Sequence, residues 1–310
     1  MLRKILIYFV SLFVFNIIFA QPLILILDWF INPDHAPIFV AEEQGYFKQA
    51  GLDVKIISPA DPADPMKLVA AGQADIGISY QPQFMVAVSQ GLPLVRIGTL
   101  INSPLACLAV LQTSNIKTIK DLRGKRIGYS TGGIDDITLQ TMLKYNGLHL
   151  SDVQLVSFHY GQTQALLSGS VDAITGQMRN FEIPEMALAG HPARTFYPED
   201  NGVPPYDELI FITNKKEIND PRLKKFMLAI QQGAQCLKQH PQQAWDIFAK
   251  NNPALNNSLN KISWFMTIQY FSLNPGKLDK QRYQAFAQFL LRAGLVTNLP
   301  PLNSYAIAES

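Results

Sequence analysis

One pattern is written twice in this chain, some hundred residues apart, and it restricts the fold more than any other feature. A helical stretch stops at Gly72, and the short apolar run Ala74-Asp75-Ile76-Gly77-Ile78-Ser79 follows. A second helical stretch stops at Gly169, and Val171-Asp172-Ala173-Ile174 follows. In each copy Gly-x-x-Asp closes a helix and opens a strand, because glycine accepts the left-handed conformation that ends a helix. Each copy sits in the same alternation of strand, helix, strand and helix with short turns, which predicts parallel strands with helices on both faces. The first alternation uses Leu23–Leu27 and Leu52–Ile57 as strands, and the second uses Lys125–Tyr129 and Val153–Phe158. The chain therefore reads as two α/β lobes of similar build. Thr99–Leu111 and Glu208–Thr213 are extended and apolar, and serve as two crossovers between them. Past Pro221 the pattern is helical: Phe226, Ala229, Ile230 and Leu237, then Trp245, Ile247 and Phe248, then Trp264, Phe265, Ile268 and Phe271 recur at core spacing.

In open α/β sheets ligands lie beyond the carboxyl ends of the strands, so the residues there are the candidates for a site. Asp28-Trp29 follows the first strand, and a helix begins near His35 after a loop containing Asn32, Pro33 and Asp34. A carboxylate accepts from an amine, and an indole offers a flat face to a ring. Tyr80, Gln81 and Gln83 follow the Ile76–Ser79 strand with one ring and two amides. Ser130, Thr131, Gly132 and Gly133 form a strand-to-helix turn whose backbone can approach a ligand. Gly176–Asn180 follows the Asp172 strand, and Tyr206-Asp207-Glu208 precedes the second crossover. Together these strand ends predict a cleft between the lobes.

Residues 1–20 read as an export leader: Arg3 and Lys4 form a basic start, Ile5–Phe19 is apolar apart from Ser11 and Asn16, and Ala20 offers a cleavage point before Gln21. An uncleaved anchor is the rival reading, and Leu23 onward is needed as the first strand, which leaves little for a full span. Cleavage predicts a periplasmic protein. The chain carries 26 Lys and Arg against 24 Asp and Glu, and loss of Arg3 and Lys4 leaves the two in balance. Such a chain lacks the basic stripe of a nucleic-acid binder, and no nucleic-acid partner is expected. Cys107 and Cys236 are expected as two small buried thiols, although their spacing leaves a disulfide open. The motifs of serine hydrolases, zinc proteases and P-loops are missing, and the five histidines are scattered, so neither metal nor catalysis is expected.

A family resemblance rests on several of these stretches. Asp28-Trp29-Phe30 with Asn32, His35 and Glu43-Gln44-Gly45-Tyr46-Phe47, then Asp64-Pro65-Met66 through Gly72, Ile78-Ser79-Tyr80-Gln81-Pro82-Gln83, and Gly202-Val203-Pro204 with Tyr206 and Glu208-Leu209 resemble the bacterial solute-binding proteins related to thiamine-pyrimidine synthases. The resemblance implies a type II, two-lobed periplasmic-binding-protein-like fold, with residues 21–105 and 209–310 in one lobe and 106–208 in the other. It implies a monomeric component of an ABC importer that delivers a thiamine pyrimidine precursor, of the formylaminopyrimidine or hydroxymethylpyrimidine type, to a membrane permease, with no cofactor. It places Asp28, Trp29, His35, Tyr80, Gln81, Gln83, Ser130, Thr131, Gly132, Gly133, Asn180, Tyr206 and Glu208 at the ligand. Within that set Trp29 and Tyr80 stack on the ring, Asp28 and Glu208 accept from its amine, and Ser130–Gly133 hold a substituent. Relatives that carry sulfonates, taurine, nitrate or riboflavin precursors give an alternative, and for the anions Arg179 is the cation placed at the cleft. The pyridoxal-phosphate-dependent synthase of the superfamily is a further alternative. It has a lysine and a histidine where this chain has Ser79 and Gln83, and a cysteine-rich motif where this chain reads Tyr206–Phe211.

Overall fold

The computed structural model describes residues 21–130 and 134–308. The expected leader, and Thr131, Gly132 and Gly133 of the expected site, lie outside the described residues. Ten strands make two sheets: β1 Leu23–Ile26, β2 Val54–Ile57, β3 Ile76–Ser79, β4 Leu94–Ile101, β5 Ala106–Leu111, β6 Arg126–Tyr129, β7 Gln154–Ser157, β8 Ala173–Met178, β9 Ala193–Phe196 and β10 Leu209–Asn214. The first sheet has the order β2-β1-β3-β10-β4 and the second β7-β6-β8-β5-β9. Helices flank both, in the two-lobed arrangement of periplasmic binding proteins.

The sheets share a plan that the sequence pattern only half anticipates. β1, β2 and β3 run parallel, as do β6, β7 and β8. The strand next to the trio runs antiparallel in each sheet: β10 pairs antiparallel with both β3 and β4, and β5 with both β8 and β9. Each sheet is therefore mixed rather than parallel. The stretches expected to be crossovers are themselves ladder strands, because an apolar run cannot leave its backbone groups unpaired in a core. The chain passes from the first sheet to the second between Ile101 and Ala106 and returns between Phe196 and Leu209.

The repeated Gly-x-x-Asp pattern has one physical cause in both lobes. Gly72 and Gly169 both adopt φ 72°, which ends the preceding helix. Asp75 Oδ2 then accepts from Ile24 N at 2.7 Å, and Asp172 Oδ2 accepts from Arg126 N at 2.9 Å. Each carboxylate thus caps the start of the neighbouring strand, and an arginine neutralises each: Arg222 at 2.9 Å from Asp75 and Arg126 at 3.2 Å from Asp172.

The first lobe's core is built on β1 and β3, which are apolar on both faces as central parallel strands must be. Against it packs the helix Ala36–Glu43, and over that the long helix Pro221–Gln239, which buries Leu223, Phe226, Ala229, Ile230 and Leu237. Trp245, Phe248, Trp264 and Phe271 complete this core as expected, whereas Phe265 is 39 % exposed. Cys107 is buried and Cys236 half-buried, and both are free thiols.

Candidate functional site

The floor of the cleft begins where β1 ends. Asp28 is buried, and both its oxygens are held: Oδ2 accepts from Tyr80 Oη at 2.7 Å, and Oδ1 lies 2.9 Å from His35 Nε2. Asn32 N donates to His35 Nδ1 at 3.4 Å, which assigns the ring proton to Nε2 and makes His35 a donor to Asp28. His35 gets there because the capping loop Asn32–Asp34 winds a 3-10 turn, Pro33–His35, that swings the ring back under the strand end. Burial, reinforced by the Asp28 charge, raises the Tyr80 phenol well above its ordinary value, so it stays a donor. The triad fixes Tyr80 against the cleft.

Three further carboxyls face the same space. Glu208 stands at the end of the return to the first sheet, just before β10, and is 1 % exposed. Its Oε2 accepts from Leu105 N and from Ala106 N, the latter at 3.0 Å, so the second passage between the sheets is tied to the first. Its Oε1 is buried and has no partner. Asp34 is buried, with Oδ1 accepting from Asn180 Nδ2 and from Thr267 Oγ1. Glu182 begins the helix Glu182–Leu188, and its Oε2 accepts from Met178 N at 2.8 Å. Burial pushes all three carboxyls up, Asp34 to about 6, Glu208 to about 7 and Glu182 to about 8.

These groups, with Trp29, Phe181, Gln177 and Ser130, line a cleft of about 570 Å³ of space between atoms, its mouth included. The Trp29 ring packs at 4.6 Å from Tyr160 of the second lobe and 5.5 Å from Phe30. Its Nε1 is buried without a partner. Beside this aromatic contact Tyr160 Oη donates to Pro59 O at 3.3 Å, and His159 Nδ1 lies 2.8 Å from Asp61 Oδ2, so the lobes touch across the mouth.

Of the residues expected from sequence, Asp28, Trp29, Tyr80, Ser130 and Glu208 line the cleft. His35 stands behind Asp28, and Asn180 behind Asp34. Gln83 lines a small adjoining recess with Asp28 and Tyr80. Gln81 and Tyr206 sit in the interior instead. Gln81 Oε1 accepts from Asp207 N at 2.9 Å, and the Tyr206 ring packs edge-on to Phe286 at 5.7 Å. Arg179 is turned away from the cleft: it donates to both oxygens of Glu199 at 2.7 and 3.0 Å and lies 4.1 Å over the Tyr197 ring. Asp34 and Glu182 were not expected. Asp34 reads in sequence as a turn residue, and Glu182 as an ordinary acidic residue in a helix's first turn. Among the described residues no group of three or more His, Cys, Asp or Glu is arranged to hold a metal ion.

Two sheets of equivalent plan, with a cleft at their facing ends, define the periplasmic-binding-protein fold. The chain belongs to the family described as NMT1/THI5 like, which matches residues 32–244. It is 44 % identical over 284 residues to a Haemophilus influenzae protein named for thiamine biosynthesis, covering 91 % of this chain and 90 % of that one. It is 33 % identical to the formylaminopyrimidine-binding protein of Halalkalibacterium halodurans, over 74 % of this chain and 70 % of that one. It is also 30 % identical to the 4-amino-5-hydroxymethyl-2-methylpyrimidine phosphate synthase of Uromyces fabae, over 80 % of this chain and 76 % of that one. The alkanesulfonate-binding protein of Xanthomonas axonopodis pv. citri, solved with MOPS bound, superposes with a TM-score of 0.73 at 19 % identity, over 94 % of this chain and all of that one.

Proposed function

We propose that this chain is the solute-binding component of an ABC importer, acts in the periplasm after loss of its leader, and holds an aminopyrimidine precursor of thiamine between its lobes. One observation carries the reading: Glu208 Oε1 is a buried acceptor with no partner, facing a cleft edged by aromatic rings. An unpaired buried carboxylate oxygen costs free energy unless a ligand supplies a donor. The exocyclic amine of a pyrimidine is such a donor, and Trp29 and Tyr80 offer it ring faces.

Ligand chemistry separates this reading from its alternatives. A sulfonate or nitrate needs cationic or donor groups. The described lining residues include no lysine or arginine, and Arg179, the cation expected there, is engaged by Glu199. A pyridoxal-phosphate synthase needs a lysine for its Schiff base. Ser79 ends β3, and Gln83 lies a turn into the following helix, Gln81–Ser89, and neither side chain supplies an amine nucleophile. In the importer reading each lobe turns as a unit about the passages Ile101–Ala106 and Phe196–Leu209, and the closed form is what a permease recognises.

Calorimetry tests it. With 4-amino-5-hydroxymethyl-2-methylpyrimidine as titrant, Glu208→Gln weakens binding by about 1.5–3 kcal/mol, roughly ten- to hundredfold, and Arg179→Ala leaves it close to the parent. If the ligand is an anion, an alkanesulfonate binds, Arg179→Ala abolishes that binding, and Glu208→Gln preserves or improves it.

A further inference from the structure

We propose that the end of the cleft between Asp34 and Glu182 is a cation subsite, so that among pyrimidines the protein selects one carrying a protonated amine on a short arm. The proposal deepens the reading above and rests on it. Asp34 comes from the first lobe and Glu182 from the second, and both line the cleft. Each carboxyl is pinned through one oxygen, Asp34 by Asn180 and Thr267 and Glu182 by Met178 N. Glu208 is pinned the same way, and its unpartnered Oε1 adds an acceptor from the passage between them. Three acceptor groups from three parts of the chain thus line one cleft, and no lysine or arginine stands among its described lining residues. A hydroxyl arm brings one donor to such a place and a formamide N–H also one, whereas an ammonium brings three with a charge.

The neighbouring charges support this arrangement. Asp28 is occupied by His35 and Tyr80, and Arg179 faces Glu199. Around the subsite, the hydrogen bonds from Asn180 and Thr267 lower Asp34's proton affinity and Asp28 raises it, Asp34 and Glu185 raise that of Glu182, and Arg179 lowers that of Glu208. Burial outweighs these influences, so Asp34 keeps its proton up to about pH 6, Glu208 up to about 7 and Glu182 up to about 8. A cationic arm takes the place of those protons. Its binding therefore strengthens as the pH rises from 6 to 8, while binding of a neutral arm stays level.

The test is calorimetry on the full protein with three probes: 4-amino-5-aminomethyl-2-methylpyrimidine, its N-formyl derivative, and the 5-hydroxymethyl compound. The aminomethyl probe is expected to bind about ten- to hundredfold more tightly than the other two at pH 7.5, with release of protons that buffers of different ionisation enthalpy detect. In Glu182→Gln and in Asp34→Asn, checked for folding by circular dichroism, that preference is lost. Tighter binding of the formyl or hydroxymethyl probe across pH 6–8 overturns the cation subsite and leaves the pyrimidine reading standing. Failure of all three while an alkanesulfonate binds overturns both.

Discussion

Asp34, Glu182 and Glu208 illustrate how a residue's surroundings rather than its type decide its role. In an unfolded chain these carboxyls ionise near their ordinary values, whereas burial holds the native ones protonated up to about 6, 8 and 7 respectively. Between those limits the unfolded chain binds fewer protons than the native one, so ligand-free stability falls as the pH rises from about 4 to 8 and levels off above. A melting temperature lower at pH 8 than at pH 5.5, with a smaller difference in Glu182→Gln, is the expected outcome; a melting temperature that rises over this interval contradicts it. Sequence made some of these residues legible and not others. Asp28, Trp29, Tyr80 and Glu208 were readable because chain position alone puts them at strand ends. Gln81 and Tyr206 occupy equally promising positions, but which way a side chain points after a strand depends on the next helix's packing, which spacing does not encode. Asp34 and Glu182 were hidden because local roles, a turn and a helix start, explain them fully until the two lobes are brought together.

At the scale of the element, the helix Pro221–Gln239 repays attention to a residue without a side chain. Its apolar spacing announced the buried face, yet not the neighbour that face meets. The neighbour is the helix Ala36–Glu43, and the two approach closely at Gly233, where an added Cβ would lie 2.2 Å from Pro37 O and 3.1 Å from Ala41 Cβ. Both obstacles belong to a buried helix that has no room to yield. Gly233→Ala should therefore destabilise the protein by about 1–3 kcal/mol, the usual cost of overpacking. A lower denaturation midpoint checks this, and an unchanged or raised midpoint, as helix propensity alone would give, refutes the close approach. The mixed sheets teach the same lesson. The parallel strands β1–β3 and β6–β8 follow from their alternation with helices. The insertion of β10 and β5 beside them is a long-range pairing that only the closed ladder reveals.

For the whole molecule the question is how the cleft opens and what fills it. The mouth is bridged by the exposed His159–Asp61 pair, which adds little in water, by the hydrogen bond from Tyr160 Oη to Pro59 O, by the Tyr160 ring against Trp29 and Phe30, and by Phe30 against Phe181. Aromatic contacts of this kind contribute roughly 0.5–1.5 kcal/mol beyond burial, so Tyr160→Ala should shift the ligand-free protein toward the open form. Small-angle X-ray scattering is expected to give that variant a larger radius of gyration without ligand than the parent; equal radii would remove the tyrosine from any gating role. The central claim, a pyrimidine stacked in the cleft, is tested most directly by tryptophan fluorescence. The chain has three tryptophans, and Trp245 and Trp264 are buried together 5.6 Å apart in the first lobe's core, while Trp29 lines the cleft. Titration with 4-amino-5-aminomethyl-2-methylpyrimidine or its hydroxymethyl counterpart should produce a saturable change in emission that disappears in Trp29→Phe, and an alkanesulfonate should produce none. A sulfonate that changes the emission while neither pyrimidine does, or a pyrimidine response that survives in Trp29→Phe, would contradict the account.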